Sequence, residues 1–149
     1  MAKSASAIVA LDYSLNEPIG ATDFLELDDG ANIRTYSLPD LVAEKFRALL
    51  QQEQRNRIRR QDIYDLHYIL ETHQAIRLPH TKAHILSSLI KKSRARDLTV
   101  TPDSMANPEI IRRAREEYPM LASEIGGEPP PFEQTYAIVE DYYRSLPWN

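Results

Sequence analysis

Three side chains in two neighbouring stretches have the types and spacing for phosphate chemistry: Lys45 in "LPDLVAEKFRALLQQ", and Asp62 and Asp65 in "RRQDIYDLHYIL". If the first stretch is a helix turning about 100° per residue, Leu38, Leu41, Val42, Phe46, Leu49 and Leu50 share one arc of roughly half the circumference. Asp40, Glu44, Arg47 and Gln51 fall opposite. Lys45 lies inside the apolar arc, between Leu38, Leu41 and Leu49. An ammonium there must meet a carboxylate or a bound anion, because an unpaired buried charge costs several kcal/mol or loses its proton. On the second stretch the same count puts Ile63, Leu66, Ile69 and Leu70 on the buried face, with Asp62 and Asp65 at its edge. Two readings stand side by side. The trio is either an ion pair that fixes the register of two helices, or a site where Lys45 contacts a phosphate or transition-state oxygen while an aspartate holds and tunes it.

The arginines Arg57, Arg59 and Arg60, with Arg55, crowd the start of the second helix. Such a cluster is either a solvated loop or an anion site, since helix dipole and guanidinium forks both favour phosphate. A second basic cluster holds Lys91, Lys92, Arg94 and Arg96. Asp12, on the polar face of an alternating segment, is a candidate metal-binding carboxylate, and equally an ordinary solubilising one. His80 and His84 have the four-residue spacing of a helical zinc pair, but no Glu follows His80 and no third ligand is evident. The tyrosines and Trp148 recur at helical spacings that suit packing. With only four glycines, the chain offers no Gly-rich phosphate loop and no nucleophile elbow.

These residues need elements to position them. Residues 8–15 alternate as a strand does, and 24–27 and 33–36 flank "DDGAN", whose Asp-Gly step suits a hairpin turn. Ser37-Leu-Pro-Asp40 resembles a capping box with Asp in place of Glu, and Pro39 suits a first helical turn. Helices are expected over about 39–52, 61–72, 81–94, 108–117 and 132–146. The expected fold is α+β: a small antiparallel sheet of about three N-terminal strands, then a bundle of four or five helices. Residues 1–149 form one domain in this reading, with strands in 1–36, helices in 37–125, a Pro/Gly linker at 126–131 and a terminal helix at 132–146.

A chain of 149 residues, 42% hydrophobic, has material for one modest core. The absence of cysteine excludes disulfides and thiolate zinc sites and fits a cytoplasmic protein. A net charge of −4 argues against non-specific coating of nucleic acid, although the basic clusters can still bind phosphate locally. No run approaches the roughly 18 apolar residues of a membrane span, and the N-terminal segment reads as a strand, not a signal peptide.

The order of strand, hairpin, "EKFRAL" helix, basic loop and "RRQDIYDL" helix resembles the distal part of the AbiEii/AbiGii nucleotidyltransferase toxin family, the toxin side of bacterial type IV toxin-antitoxin systems. Glu44, Lys45, Phe46, Ala48 and Leu49 match its first helical motif, and Arg59, Asp62, Ile63, Tyr64, Asp65 and Leu66 its second. The resemblance covers about residues 8–72. It implies transfer of a nucleotide from a nucleoside triphosphate to an RNA or protein acceptor. Lys45 and an aspartate of the Asp62/Asp65 pair would be late active-site residues, Arg57, Arg59 and Arg60 would hold phosphate, Mg²⁺ would be the cofactor, and Asp12 or Glu17 would be a third acidic residue. It also implies an antitoxin. The family's Gly-Ser/Thr and Asp-x-Asp motifs are not in this sequence, so the expected transferase is incomplete as a single chain. The alternative is a non-catalytic interaction module, degenerate or split, acting with a complementing chain or as a homodimer.

Overall fold

The computed structural model describes residues 19–148. The strand expected at 8–15, with Asp12 and Glu17, lies outside the described residues. Among the described residues the sheet has two strands, β1 (Thr22–Glu26) and β2 (Asn32–Tyr36), paired antiparallel with Thr22 opposite Tyr36 and Glu26 opposite Asn32. The turn between them uses the Asp-Gly step: Gly30 takes a φ of 82°, a conformation that costs glycine little, and Leu27 exchanges backbone hydrogen bonds with Gly30 and Ala31.

Everything after the hairpin is helical: α1 (Leu38–Leu50), α2 (Gln52–Arg55), α3 (Arg60–Thr72), α4 (Pro79–Arg94), α5 (Pro108–Arg115), α6 (Ala122–Ile125) and α7 (Phe132–Arg144). Short 3₁₀ turns punctuate the connections at Gln74–Arg77, Ser104–Ala106 and Tyr118–Leu121. The five long helices start and stop within two residues or so of the expected bounds. The short α2 and α6 carry too few residues to show an apolar period.

At the start of α1, Ser37 caps the helix, with its Oγ accepting from the Asp40 amide at 3.4 Å, and Pro39 occupies the first turn. The other half of the expected capping box does not form. The Asp40 carboxylate turns away from the Ser37 amide, accepts from the Gly20 amide at 3.3 Å and is fully buried. Asp40 belongs to the polar side of α1, with Glu44, Arg47 and Gln51, yet that side does not all meet water. Helix α4 packs along α1, and Asp40 and Gln51 are both buried. Periodicity identifies which side of a helix is polar, but it does not say whether that side meets water or a polar partner from another helix.

One apolar cluster fills the interior, drawing Phe46 and Leu49 from α1, Ile63 and Leu66 from α3, Ile85 and Leu89 from α4, and Val139 and Tyr143 from α7. Helix α7 returns across the Pro-rich segment 128–131 and lays Tyr142 and Tyr143 on Phe46, with ring centroids 6.3 and 5.2 Å away. Its buried phenols each find an acceptor: Tyr136 donates to Met105 O at 2.6 Å, Tyr142 to Ile76 O at 2.8 Å and Tyr143 to Thr101 O at 2.8 Å. The helix thereby pins the connections around α4 and α5 as it covers the core. No helix among the described residues is long and apolar enough to cross a membrane.

Candidate functional site

Lys45 leaves α1 toward α3, and both aspartates meet it. Its Nζ lies 2.6 Å from Asp65 Oδ2 and 3.1 Å from Asp62 Oδ1. The carboxylates are one helical turn apart on α3, so they reach the ammonium from adjacent levels of the same face. Asp62 is the inner partner, with its side chain 13% exposed, against 17% for Lys45 and 44% for Asp65. Burial works to lower the lysine's pKa, but the hydrogen bond to Asp65 and the charges of both aspartates outweigh it and hold Lys45 above the ordinary lysine value. The pKa of Asp62 is raised too, but here burial is the cause and prevails over the pull of Lys45 and Arg59. Its Oδ2 is buried with no hydrogen-bond donor, and Arg59 Nη1 stands 3.7 Å from it.

The loop that delivers Arg59 is built by a residue the sequence did not single out. Gln52 is fully buried; its Nε2 donates to Ile110 O at 3.4 Å and its Oε1 accepts from the Arg59 amide at 2.9 Å. With Asn56 in the left-handed region at φ 47°, the chain turns back and enters α3 at Arg59. The three arginines then part company. Arg59 faces Asp62, Arg57 is exposed, and Arg60 bridges Glu117 and Glu124 at 2.8 Å each. Arg60 is therefore tied to the 117–124 segment, while Lys45 is held by Asp62 and Asp65.

A second Lys-carboxylate cluster joins α1 to α4. Lys92 Nζ lies 3.3 Å from Asp40 Oδ2 and 3.7 Å from Glu44 Oε2, and it sits 5.0 Å from the centroid of the Tyr36 ring. Ser88 Oγ donates to Asp40 Oδ1, and Arg47 holds Glu44 through a bidentate pair. Lys92 is 1% exposed and Asp40 is completely buried. The signal was present in α4: Lys92 follows Leu89 by three residues on the face of Ile85 and Leu86, the same anomaly that marks Lys45, but it was hidden inside a basic run. Adjacent residues of α1 thus serve different partners, Glu44 reaching α4 and Lys45 reaching α3.

The family profile described as "Nucleotidyl transferase AbiEii toxin, Type IV TA system" matches residues 4–138. The chain belongs to the AbiEii nucleotidyltransferase toxin family. The match runs well beyond the two motifs, through α4 and α5 and into α7. Comparison with curated proteins and with solved structures gives no significant match. Membership of a type IV toxin-antitoxin family implies an antitoxin partner.

AbiEii membership also raises the question of Mg²⁺. The described residues do not fit one: no group of three His, Cys, Asp or Glu side chains comes together among them, and Asp62 and Asp65 are both engaged by Lys45. His80 and His84 are exposed and recruit no further ligand. Asp12, the metal-binding candidate of the sequence, lies outside the described residues.

Proposed function

We propose that this chain is a nucleotidyltransferase-type toxin component that moves a nucleotide from a nucleoside triphosphate to an RNA or protein acceptor. The observation that carries the reading is the Lys45 ammonium, held charged by two carboxylates of unequal burial. Asp62 anchors it from the inner side. Asp65, the more exposed partner, is the one a phosphate oxygen displaces. In the transfer an acceptor hydroxyl gives up its proton to solvent as its oxygen bonds to the α-phosphorus, and the bond to pyrophosphate, the leaving group, breaks. Lys45 offsets the charge gathering on the non-bridging oxygens, a fixed electrostatic contribution in a site partly shielded from water. Arg59 and Arg57 hold the triphosphate or the acceptor, while Arg60, tied to Glu117 and Glu124, steadies the entry to α3. Carboxylates for Mg²⁺ have to come from outside the described residues, from Asp12 or from a second chain.

The exposed hairpin favours a second element of the reading, action together with another chain. Among the described residues Phe24, Leu25 and Ile33 are exposed on the hairpin, where apolar groups ordinarily meet a partner.

The experiment is transfer of label from α-labelled nucleoside triphosphates, with Mg²⁺, to total RNA and to protein, comparing the full chain with Lys45→Ala. Label that reaches one acceptor class and disappears in the variant supports the transferase and names its substrate. A folded wild-type chain that labels neither points instead to the non-catalytic interaction module.

A further inference from the structure

Two surfaces outside the Lys45 site complement each other. The first is the hairpin. Phe24 is 67% exposed and Leu25 55%, and with Ile19, Leu27 and Ile33 they make up five of the eight large exposed apolar side chains among the described residues. Leu25 and Ile33 are cross-strand partners on one face. On the other, Phe24 lies opposite Arg34, whose guanidinium carbon is 5.6 Å from the ring centroid. Asp23, Glu26, Asp28 and Asp29 surround them, with Arg34 as the cation of this segment, so the patch is both apolar and acidic. Among the described residues, apolar groups on both faces of the hairpin are exposed surface that favours burial.

The second surface is on α4. Leu86, Ile90 and Pro147, with Ser87, Lys91 and Arg94, line an open groove of about 700 Å³. Its lining is apolar and cationic and contains no carboxylate. Groove and hairpin root share the same helix: Ser88 and Lys92, next in sequence to Ser87 and Lys91, hold Asp40, and Lys92 lies against the Tyr36 ring.

We infer that the hairpin of one copy docks in the α4 groove of a second copy of this chain. Phe24 and Leu25 cover Leu86, Ile90 and Pro147, while Glu26 and Asp28 meet Lys91 and Arg94. Charge complementarity selects the occupant, because a groove of cations and apolar carbon fits an acidic apolar segment, and the chain displays one. With both surfaces rooted on α4, two copies related by a twofold axis exchange two such contacts and close as a dimer, not as a filament. The inference is independent of whether Lys45 meets a nucleotide.

Sedimentation equilibrium on the full chain tests it, with circular dichroism to confirm that each variant is folded. The wild type is expected to dimerise, more weakly as salt is raised. Phe24→Ser/Leu25→Ser, Glu26→Lys/Asp28→Lys and Lys91→Glu/Arg94→Glu should each weaken association by roughly tenfold or more. The chain carrying both charge reversals should return to within about threefold of the wild type, because the attraction is restored with its sign exchanged. A monomeric wild type, or a double reversal as weak as either reversal alone, overturns the inference, and so does a hairpin variant that dimerises like the wild type.

Discussion

Two lysines point from helical faces into carboxylates, and their surroundings separate them. Lys92 meets Asp40 in a place closed to water, with Ser88, Glu44, Tyr36 and the Gly20 amide gathered around the pair. Lys45 meets Asp62 and Asp65 at a seam that keeps one carboxylate nearly half exposed and leaves a buried oxygen of Asp62 without a donor. The residue types are alike, and burial decides what they can do. A closed pair fixes how two helices and the hairpin root sit together. A pair with one exchangeable partner can trade that partner for a phosphate.

The contrast is broken first at Lys92. Replacing it with Met removes the cation and leaves Asp40 buried, and truncating one partner of a buried pair costs about 3–5 kcal/mol. For a domain of ordinary stability that is a large share of the total, and urea unfolding will read it as a lowered midpoint at unchanged slope. Gly20→Ala attacks the same cluster from the hairpin side. An added Cβ would stand 2.3 Å from Asp40 Oδ1, and Asp40 has no free space to retreat into. Displacing it should lower stability by about 1–3 kcal/mol in the same assay.

Lys45→Met should cost less, about 1 kcal/mol, because the pair is partly solvated and screened. Its pH dependence sharpens the point. The folded pKa of Lys45 lies above the ordinary 10.5, so its stabilisation is complete below that pH and fades as pH rises through the higher folded value. The stability gap between wild type and Lys45→Met should be flat through neutrality and close only in strong alkali.

The smallest effect belongs to Asp62. Its pKa is raised from 3.8 by burial, so the folded state binds a proton more readily than the unfolded chain just above that pH. Wild-type stability should therefore fall relative to Asp62→Asn as pH climbs from about 4 through the raised folded value. Thermal unfolding across mildly acidic pH checks it, and a gap that widens in favour of the wild type would contradict the assignment of Asp62 as the desolvated partner.

Much of this was legible in the sequence because it depends on local chemistry. Ser37-Leu-Pro, the Asp-Gly turn and the apolar arcs of α1 and α3 fix those elements within a few residues, and the misplaced Lys45 announced the need for an anion. What stayed hidden depends on distant partners. Asp40 looked like half of a cap on the polar side of α1, and only Ser88 and Lys92, some fifty residues on, explain its burial. Gln52 is an ordinary polar residue until Ile110 O and the Arg59 amide surround it. Arg60 was grouped with its neighbours by sequence, and Glu117 and Glu124 draw it elsewhere.

Equilibrium binding of a labelled nucleoside triphosphate to the wild type, Lys45→Ala and Lys92→Met, at a temperature where all three are folded, tests the division of labour most directly. The account predicts that Lys45→Ala loses at least about tenfold in affinity with little change in melting temperature, and that Lys92→Met binds normally but melts earlier. Wild-type affinity in Lys45→Ala would contradict it and return the Lys45 cluster to the same structural role as the buried pair.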